Sequence, residues 1–395
     1  MKDRRGEQGG MATTTETGIA IIGCGYVADS YRHCLPLHTG RLKLTGIYDR
    51  VAERRAAFTA TWGDRAYQSL DELLADEACS IVLNLTDPES HAAVTEAAIA
   101  AGKHVYSEKP LAMTATMATE LRDRARAAGV RLASAPCNLL GESMQTAWAA
   151  VRAGMIGKVL LAYAEMDDGM IHRTHYASWL SRSGKPWPAR GEFETGCTYE
   201  HAGYALGLFG AMFGPAVRVT SFAALLVPDK QTTPPLAHPA PDFSVGCIEY
   251  ENGVVARLTN SIVAPYDHRM RIIGETGTLE IKEPWDYASP VILRRPGEGR
   301  ITRVIERHLG AFGRKLPMAR PVPFKGGRGK PTMDFMRGPA ELAEAIAAGR
   351  PSRLDEDFAV HVTEVTEMLQ HPERFDRPAR VQSRFAPIEP MEWAR

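Results

Sequence analysis

The first strong feature of the hydrophobic pattern is an unbroken apolar run, Ile19-Ala20-Ile21-Ile22. Nothing polar alternates within it, so it predicts a strand buried on both faces, as in a parallel sheet. The run passes straight into Gly23-Cys24-Gly25-Tyr26-Val27-Ala28, and a helix is predicted from Tyr26 to His38. Strands are then predicted at Arg41 to Tyr48, Ser80 to Leu85, His104 to Tyr106 and Val130 to Ala135. Helical stretches lie between them at Leu70 to Ala75, Ala92 to Ala101 and Thr114 to Ala128, the last two stopped by Gly102 and Gly129. Strands and helices alternating at this spacing specify βαβ units and a parallel sheet, hence an α/β first domain closing near residue 137.

Beyond that point the pattern changes. A helix from Leu139 to Ala153 leads to a strand pattern at Lys158 to Asp167. Ser244 to Tyr250 and Val254 to Ile262 flank Asn252-Gly253, a strong hairpin signal. A second hairpin pairs Met270 to Ile273 with Thr278 to Lys282. The second domain is therefore α+β with a mainly antiparallel sheet. Pro-rich loops at Val227 to Pro241 and Glu283 to Pro331 are long enough to be lids or partner contacts. Helices are predicted at Pro339 to Ala348 and Asp355 to Leu369. The polar start of the chain reads as a disordered leader over residues 1–17, with Met11 an alternative start. The expected organisation is thus 1–17, 18–137 and 138–395.

Composition narrows the function classes. The chain carries 47 basic and 47 acidic residues, so no face-wide basic excess is available for nucleic acid or an anionic membrane. No apolar run approaches the roughly 18 residues of a membrane span, and no signal-peptide core is present. Cys24, Cys34, Cys79, Cys137, Cys197 and Cys247 form neither a CxxC pair nor a zinc spacing. They read as reduced thiols of a cytoplasmic protein. His172 and His175 follow Asp167-Asp168, but without a tetrahedral or facial-triad spacing, and no metal is expected.

Candidate chemistry gathers at the strand ends. Gly23 and Gly25 permit a tight turn and a close approach of backbone to a pyrophosphate, and Ala28 lets helix and strand pack closely. Asp49 ends the second strand, where a carboxylate accepts from an adenosine ribose and repels a 2′-phosphate, favouring NAD. Arg50 beside it leaves NADP open, and Asp49 could instead cap the helix starting near Val51.

The stretches GCGYVA, NLTDPxxH (Asn84 to His91) and above all GKHVYSEKP (Gly102 to Pro110) resemble the Gfo/Idh/MocA oxidoreductase family. So do GMIGKV at 154–159, GETGTLEI at 274–281 and the segment Ala340 to Val365. The resemblance implies a Rossmann doubly wound parallel sheet followed by a domain on a large, mainly antiparallel open sheet. It also implies a homodimer or homotetramer formed through that sheet face. Cofactor contacts are expected from Gly23, Gly25, Tyr26, Val27, Asp49, Arg50, Thr86, His91, Glu108, Lys109 and Asn138. The resemblance places Lys109 beside the nicotinamide and the substrate hydroxyl, with a cis bond before Pro110. A lysine partly buried beside a cationic ring would have its pKa lowered toward a useful range.

Trp179 to Tyr204 departs from the family. Its members commonly carry Asp-x-Gly-x-His here, with a further Asp three residues on; this chain has Glu200, Ala202, Tyr204 and Gly207 at those places. Either Tyr204, a phenol made more acidic beside Lys109, supplies the proton, or His201 does; residues 200, 201 and 204 share one helix side. Tyr204 is the favoured carrier, with His201 as a substrate hydrogen-bonder, and Glu200 and Trp187 complete the expected substrate set. Tyr176, Trp179 and Trp187 could stack on a sugar ring or simply pack. The expected activity is an NAD(P)-dependent dehydrogenase or reductase for a polyhydroxylated small molecule, a sugar, sugar derivative or cyclitol. The rivals are a glycoside hydrolase or lyase working by transient oxidation and a non-catalytic nucleotide-binding regulatory subunit.

Overall fold

The computed structural model describes residues 16–296, 313–324 and 332–395. Of the leader expected at 1–17, residues 1–15 lie outside this set, whereas Thr17 already pairs with Leu42 in the first sheet. The first half runs β1 (Thr17–Ile22), α1 (Ala28–Cys34), β2 (Leu42–Tyr48), α2 (Ala52–Trp62), α3 (Leu70–Ala75) and β3 (Ile81–Asn84). It continues with α4 (Pro88–Ala100), β4 (His104–Ser107), α5 (Ala115–Ala127) and β5 (Leu132–Ser134). The five strands form one parallel sheet in the order β2-β1-β3-β4-β5. β1 is buried on both faces, as its unbroken apolar run requires. Ile19 and Ile21 enter the layer holding Tyr31 and Phe58, while Ala20 and Ile22 enter the opposite layer with Tyr67 and Val82. Since β2 and β3 flank β1, the strand order reverses at its carboxyl end, where ligands of open α/β sheets bind. The glycine turn stands there.

Local chemistry explains the helix starts. The Ser69 hydroxyl accepts from Glu72 N at 3.0 Å to begin α3, and Thr114 from Met117 N at 3.2 Å to begin α5. The helix predicted at Tyr26 to His38 divides: α1 ends at Cys34, and Leu35–His38 tightens into a 3-10 turn with Pro36 in its first positions.

The second half begins with α6 (Glu142–Arg152), β6 (Val159–Asp167), α7 (Ala189–Thr195), α8 (Cys197–Phe213), β7 (Ala216–Ala224), β8 (Phe243–Tyr250) and β9 (Val255–Ser261). Next come β10 (Met270–Gly274), β11 (Gly277–Ile281), β12 (Val291–Arg294), β13 (Gly313–Lys315), α9 (Arg337–Ala347), α10 (Glu356–Gln370) and β14 (Ala379–Arg380). The strands make one nine-stranded sheet, β13-β12-β11-β10-β6-β9-β8-β7-β14. All its pairings are antiparallel except β6–β9. Both predicted hairpins form. The stretch Glu283 to Pro331 is not one loop: β12 and β13 extend the sheet from it, and residues 297–312 and 325–331 lie outside the described set. β7 carried no recognised strand signal.

α8, α10 and α6 cover one face of this sheet. Burial alternates along β8 and β9, so the other face presents Val245, exposed Cys247, Val255 and Arg257, with exposed Phe222 on β7. α8 is buried along nearly its whole length. Its Gly203 lets it approach the first domain: a Cβ there would stand 3.0 Å from Pro136 Cδ. α10 packs on α5 and β5 as well as on β7, with Asp355 capping its start through Phe358 N at 3.0 Å. Among the described residues no helix is long and apolar enough to cross a membrane.

Candidate active site

The two glycines of the turn do different work. Gly23 has φ +99°, and a Cβ there would lie 2.5 Å from the Leu85 carbonyl oxygen. A Cβ on Gly25 would meet nothing within 4 Å. Gly23 thus answers to the neighbouring strand, while Gly25 leaves a free cradle beside the turn, with half-buried Tyr26 and Val27 at its edge. The cradle fits a dinucleotide pyrophosphate. Asp49 is buried, and its carboxylate accepts from Cys24 N at 2.9 Å and from Val51 N at 2.8 Å. It therefore braces the turn and the start of α2 together. Arg50 is exposed, and the Arg54 guanidinium comes to 3.9 Å of Asp49.

Next along the edge, Thr86 donates to Asn84 Oδ1 at 2.7 Å. Glu108 accepts from Tyr31 OH at 2.6 Å and from Lys109 N at 3.0 Å, which shapes the EKP turn. The Lys109–Pro110 bond is cis. Two of the expected cofactor contacts also hold the fold together. His91 is fully buried, its ring nitrogens 2.7 Å from the Pro110 carbonyl and 2.9 Å from that of Thr86, so it ties two turns together. Asn138 is also fully buried and donates to the Tyr204 carbonyl at 3.0 Å, so it joins the chain crossing to α8.

Lys109 faces across the cleft and pairs with Glu200 of α8. Its charge state differs from the expected one. Burial works to lower its pKa, but Glu200 foremost, then Tyr204, Glu192 and Glu108, outweigh burial and raise it, so the side chain stays an ammonium. Glu192 of α7 hydrogen-bonds to Glu200; burial and that neighbouring carboxylate push it well above the ordinary carboxylate range. Glu192 thus favours its protonated form beside the Lys109–Glu200 pair.

Tyr204 and His201 both reach this site. Burial raises the Tyr204 phenol, and the Lys109 charge offsets only part of this, so Tyr204 is a weaker acid than expected. Burial, then Lys109 and His268, lowers His201 well below its ordinary value, which leaves a neutral imidazole. Its Nε2 lies 3.7 Å from Asp168, and its buried Nδ1 has no hydrogen-bond partner among the described residues. Asp168 also faces His268 at 3.6 Å, and His268 meets Glu283 at 3.2 Å. Burial raises Asp168 to about 6, with His268 working the other way. The Trp285 ring packs against Tyr204, His201 and His268, at 5.2, 5.9 and 4.4 Å between centroids.

Trp187 goes into an aromatic cluster with Tyr176, Trp179 and Phe193, at 5.9, 5.3 and 5.8 Å. Its described ring contacts are packing contacts. Sequence reading missed Asp168, His268, Glu283 and Trp285, which lie at the end of β6 and around the β10–β11 hairpin. The acid pair at the tip of a predicted strand was the available signal, yet Asp168 meets His201 and His268 rather than the sequence-adjacent histidines. Among the described residues no group of His, Cys, Asp and Glu is arranged to hold a metal.

Residues 17–135 match a family model described as an oxidoreductase family with an NAD-binding Rossmann fold. Residues 144–280 match the GFO/IDH/MocA C-terminal domain. The chain is 27% identical over 299 residues to a dTDP-3,4-didehydro-2,6-dideoxy-alpha-D-glucose 3-reductase of Streptomyces violaceoruber, covering 73% of this chain and 80% of that one. In fold it is similar to the WlbA dehydrogenase of Bordetella pertussis, solved with NADH and UDP-GlcNAcA (TM-score 0.69, 16% identity, 92% of this chain and 97% of that one). It is also similar in fold to KijD10, a 3-ketoreductase of Actinomadura kijaniata solved with NADP (TM-score 0.68, 18% identity, 90% of this chain and 97% of that one).

Proposed function

The chain belongs to the Gfo/Idh/MocA oxidoreductase family, and we propose that it moves hydride between a nicotinamide cofactor and a secondary alcohol or ketone of a sugar, sugar derivative or cyclitol. The observation that carries this reading is the Lys109–Glu200 pair. It joins the carboxyl edge of the parallel sheet to the buried helix of the second domain. A bound nicotinamide supplies the hydride acceptor or donor; the chain's part is to hold the reacting oxygen and manage its proton. The Lys109 ammonium donates a hydrogen bond to that oxygen and stabilises the negative charge it develops. His201 takes the proton in the oxidative direction, because it is neutral, its Nδ1 is free, and Asp168 stands behind Nε2 to support the imidazolium. Tyr204, raised by burial, then serves as a hydrogen-bonder beside Lys109.

NAD is the proposed coenzyme, supported by Asp49 at the tip of β2. Exposed Arg50 and nearby Arg54 offer cations to a 2′-phosphate, so titration with both NADH and NADPH is the check. The six unpaired cysteines, five of them buried, support a reducing, cytoplasmic setting. The helix-free sheet face bearing Phe222, Val245 and Val255 supports a homodimer or homotetramer formed there. The deciding experiment is a panel of sugars and cyclitols assayed at the nicotinamide absorbance band with each coenzyme. Turnover of such an alcohol or ketone supports the reading. Glycoside cleavage without net NADH, or binding without turnover, replaces it with one of the two rivals.

A further inference from the structure

The segment from Trp179 to Trp187 folds back on itself. Trp187 N donates to the Trp179 carbonyl at 2.9 Å and Ser181 N to the Lys185 carbonyl at 2.8 Å, with a bridge between Leu180 and Pro186. Gly184, at φ +76°, turns the tip. The base of this loop is anchored in its own domain by the aromatic cluster around Trp187. The tip lands on the other domain. Ser183 N and Ser183 Oγ donate to Asp29 Oδ2 at 3.0 and 2.7 Å, and Trp62 Nε1 donates to Asp29 Oδ1 at 2.5 Å. Arg182 lies 4.2 Å over the Trp62 ring. Asp29 and Ser183 are both buried, so this is a built dock rather than a grazing contact.

Asp29 sits on α1, directly after the glycine turn, and the dock therefore carries the tip to the cofactor edge. Lys185 is the tip's half-buried cation. Among the described residues no hydrogen bond or ion pair holds its ammonium. Its charge is felt at the Cys24 thiol within the turn. So are those of Asp49, Asp29 and Arg55, but Arg55 is already committed to the Asp49 carbonyl. Lys185 is thus a free cation beside a turn flanked by two buried carboxylates, Asp29 and Asp49. Next to it, Gly25 leaves open space.

We propose that Lys185 is a cofactor-binding residue, closing on the dinucleotide pyrophosphate from the second domain and held there by the Asp29–Ser183 contact. The proposal rests on the dinucleotide reading of the glycine turn. Two phosphates brought against Asp29 and Asp49 need a compensating positive charge, and the residues of the turn, Gly23 to Val27, include no cation. The competing role for Lys185 is to balance Asp29 and Asp49 in the cofactor-free protein.

Fluorescence titration with NADH, and displacement by ADP-ribose and adenosine, separates these roles. Lys185→Gln is expected to weaken NADH and ADP-ribose about tenfold, the scale of one charge-assisted hydrogen bond. Adenosine, which lacks the pyrophosphate, should bind unchanged, and the salt dependence of NADH binding should become shallower. Lys185→Arg should restore most of the affinity. Asp29→Asn should weaken NADH as well, and the double variant should lose no more than Lys185→Gln alone. A Lys185→Gln protein that binds NADH within twofold of wild type overturns the proposal, as does a lower melting temperature of the free protein as its sole change. Wild-type protein that binds neither NADH, NADPH nor ADP-ribose overturns the dinucleotide reading and the proposal with it.

Discussion

The cofactor wall of the cleft and the wall opposite are made from differently distributed parts. On the first, Gly23, Gly25 and Asp49 lie within one βαβ unit, and Thr86, Glu108 and Lys109 follow at successive strand ends. Each is placed by a strand that must be buried, so topology alone brings them to one edge. On the second, Asp168, Glu192, Glu200, His201, Tyr204, His268 and Trp285 come from the end of β6, two helices and the approaches to β10 and β12. Their meeting depends on a nine-stranded sheet closing and on α8 fitting beneath it. Geometry on the first wall is local and survives sequence change elsewhere. Charge on the second wall is collective, and its protonation states belong to the cluster rather than to single residues.

The sharpest way to break the comparison is at Lys109, where the two walls touch. Lys109→Ala is expected to cut kcat/KM by about 10³-fold or more on whichever substrate the panel identifies. A loss under tenfold would remove Lys109 from the chemistry. His201→Ala should cost about 10²-fold in kcat while Tyr204→Phe costs under tenfold; the reverse ranking would make the phenol the proton carrier. On the cofactor wall the two glycines should separate cleanly. Gly25→Ala should weaken NADH at least tenfold with an unchanged melting curve, because its added methyl meets nothing but the cradle. Gly23→Ala should instead destabilise the fold by about 2 kcal/mol or more, through the Leu85 clash and its positive φ.

The smallest effect is a change of shape in a pH profile. Asp168 is raised to about 6, so below that pH it is protonated and cannot support a positive His201. Oxidative kcat/KM should therefore rise as pH increases through about 6, and Asp168→Asn should remove that inflection while lowering the plateau severalfold. Lys109 adds no alkaline limb below its ordinary value of 10.5, because the acids around it hold it charged. A profile that keeps its inflection near 6 in Asp168→Asn assigns the titration to another member of the cluster.

Much of this protein is legible along the chain. Ile19 to Ile22 declared a doubly buried strand, and the two glycines just after it, Gly23 and Gly25, declared the turn. The EKP segment marked Lys109, and Asn252-Gly253 marked its hairpin. These signals are readable because they are local: a backbone conformation, a burial pattern of period one or two, or a turn that few residues can make. Tertiary structure decided what no local pattern encodes. His91 and Asn138 are fully buried, and their ring nitrogens and amide nitrogen meet carbonyls of Pro110, Thr86 and Tyr204, contacts that no local pattern announces. The Lys109 pKa goes up rather than down because Glu200 and Glu192, some 90 residues away in sequence, deliver acids into the same desolvated space. Trp187 packs, and the loop it anchors reaches Asp29 across 154 residues of chain. Electrostatics and hydrogen-bond satisfaction depend on distance in space, and only the folded chain sets those distances.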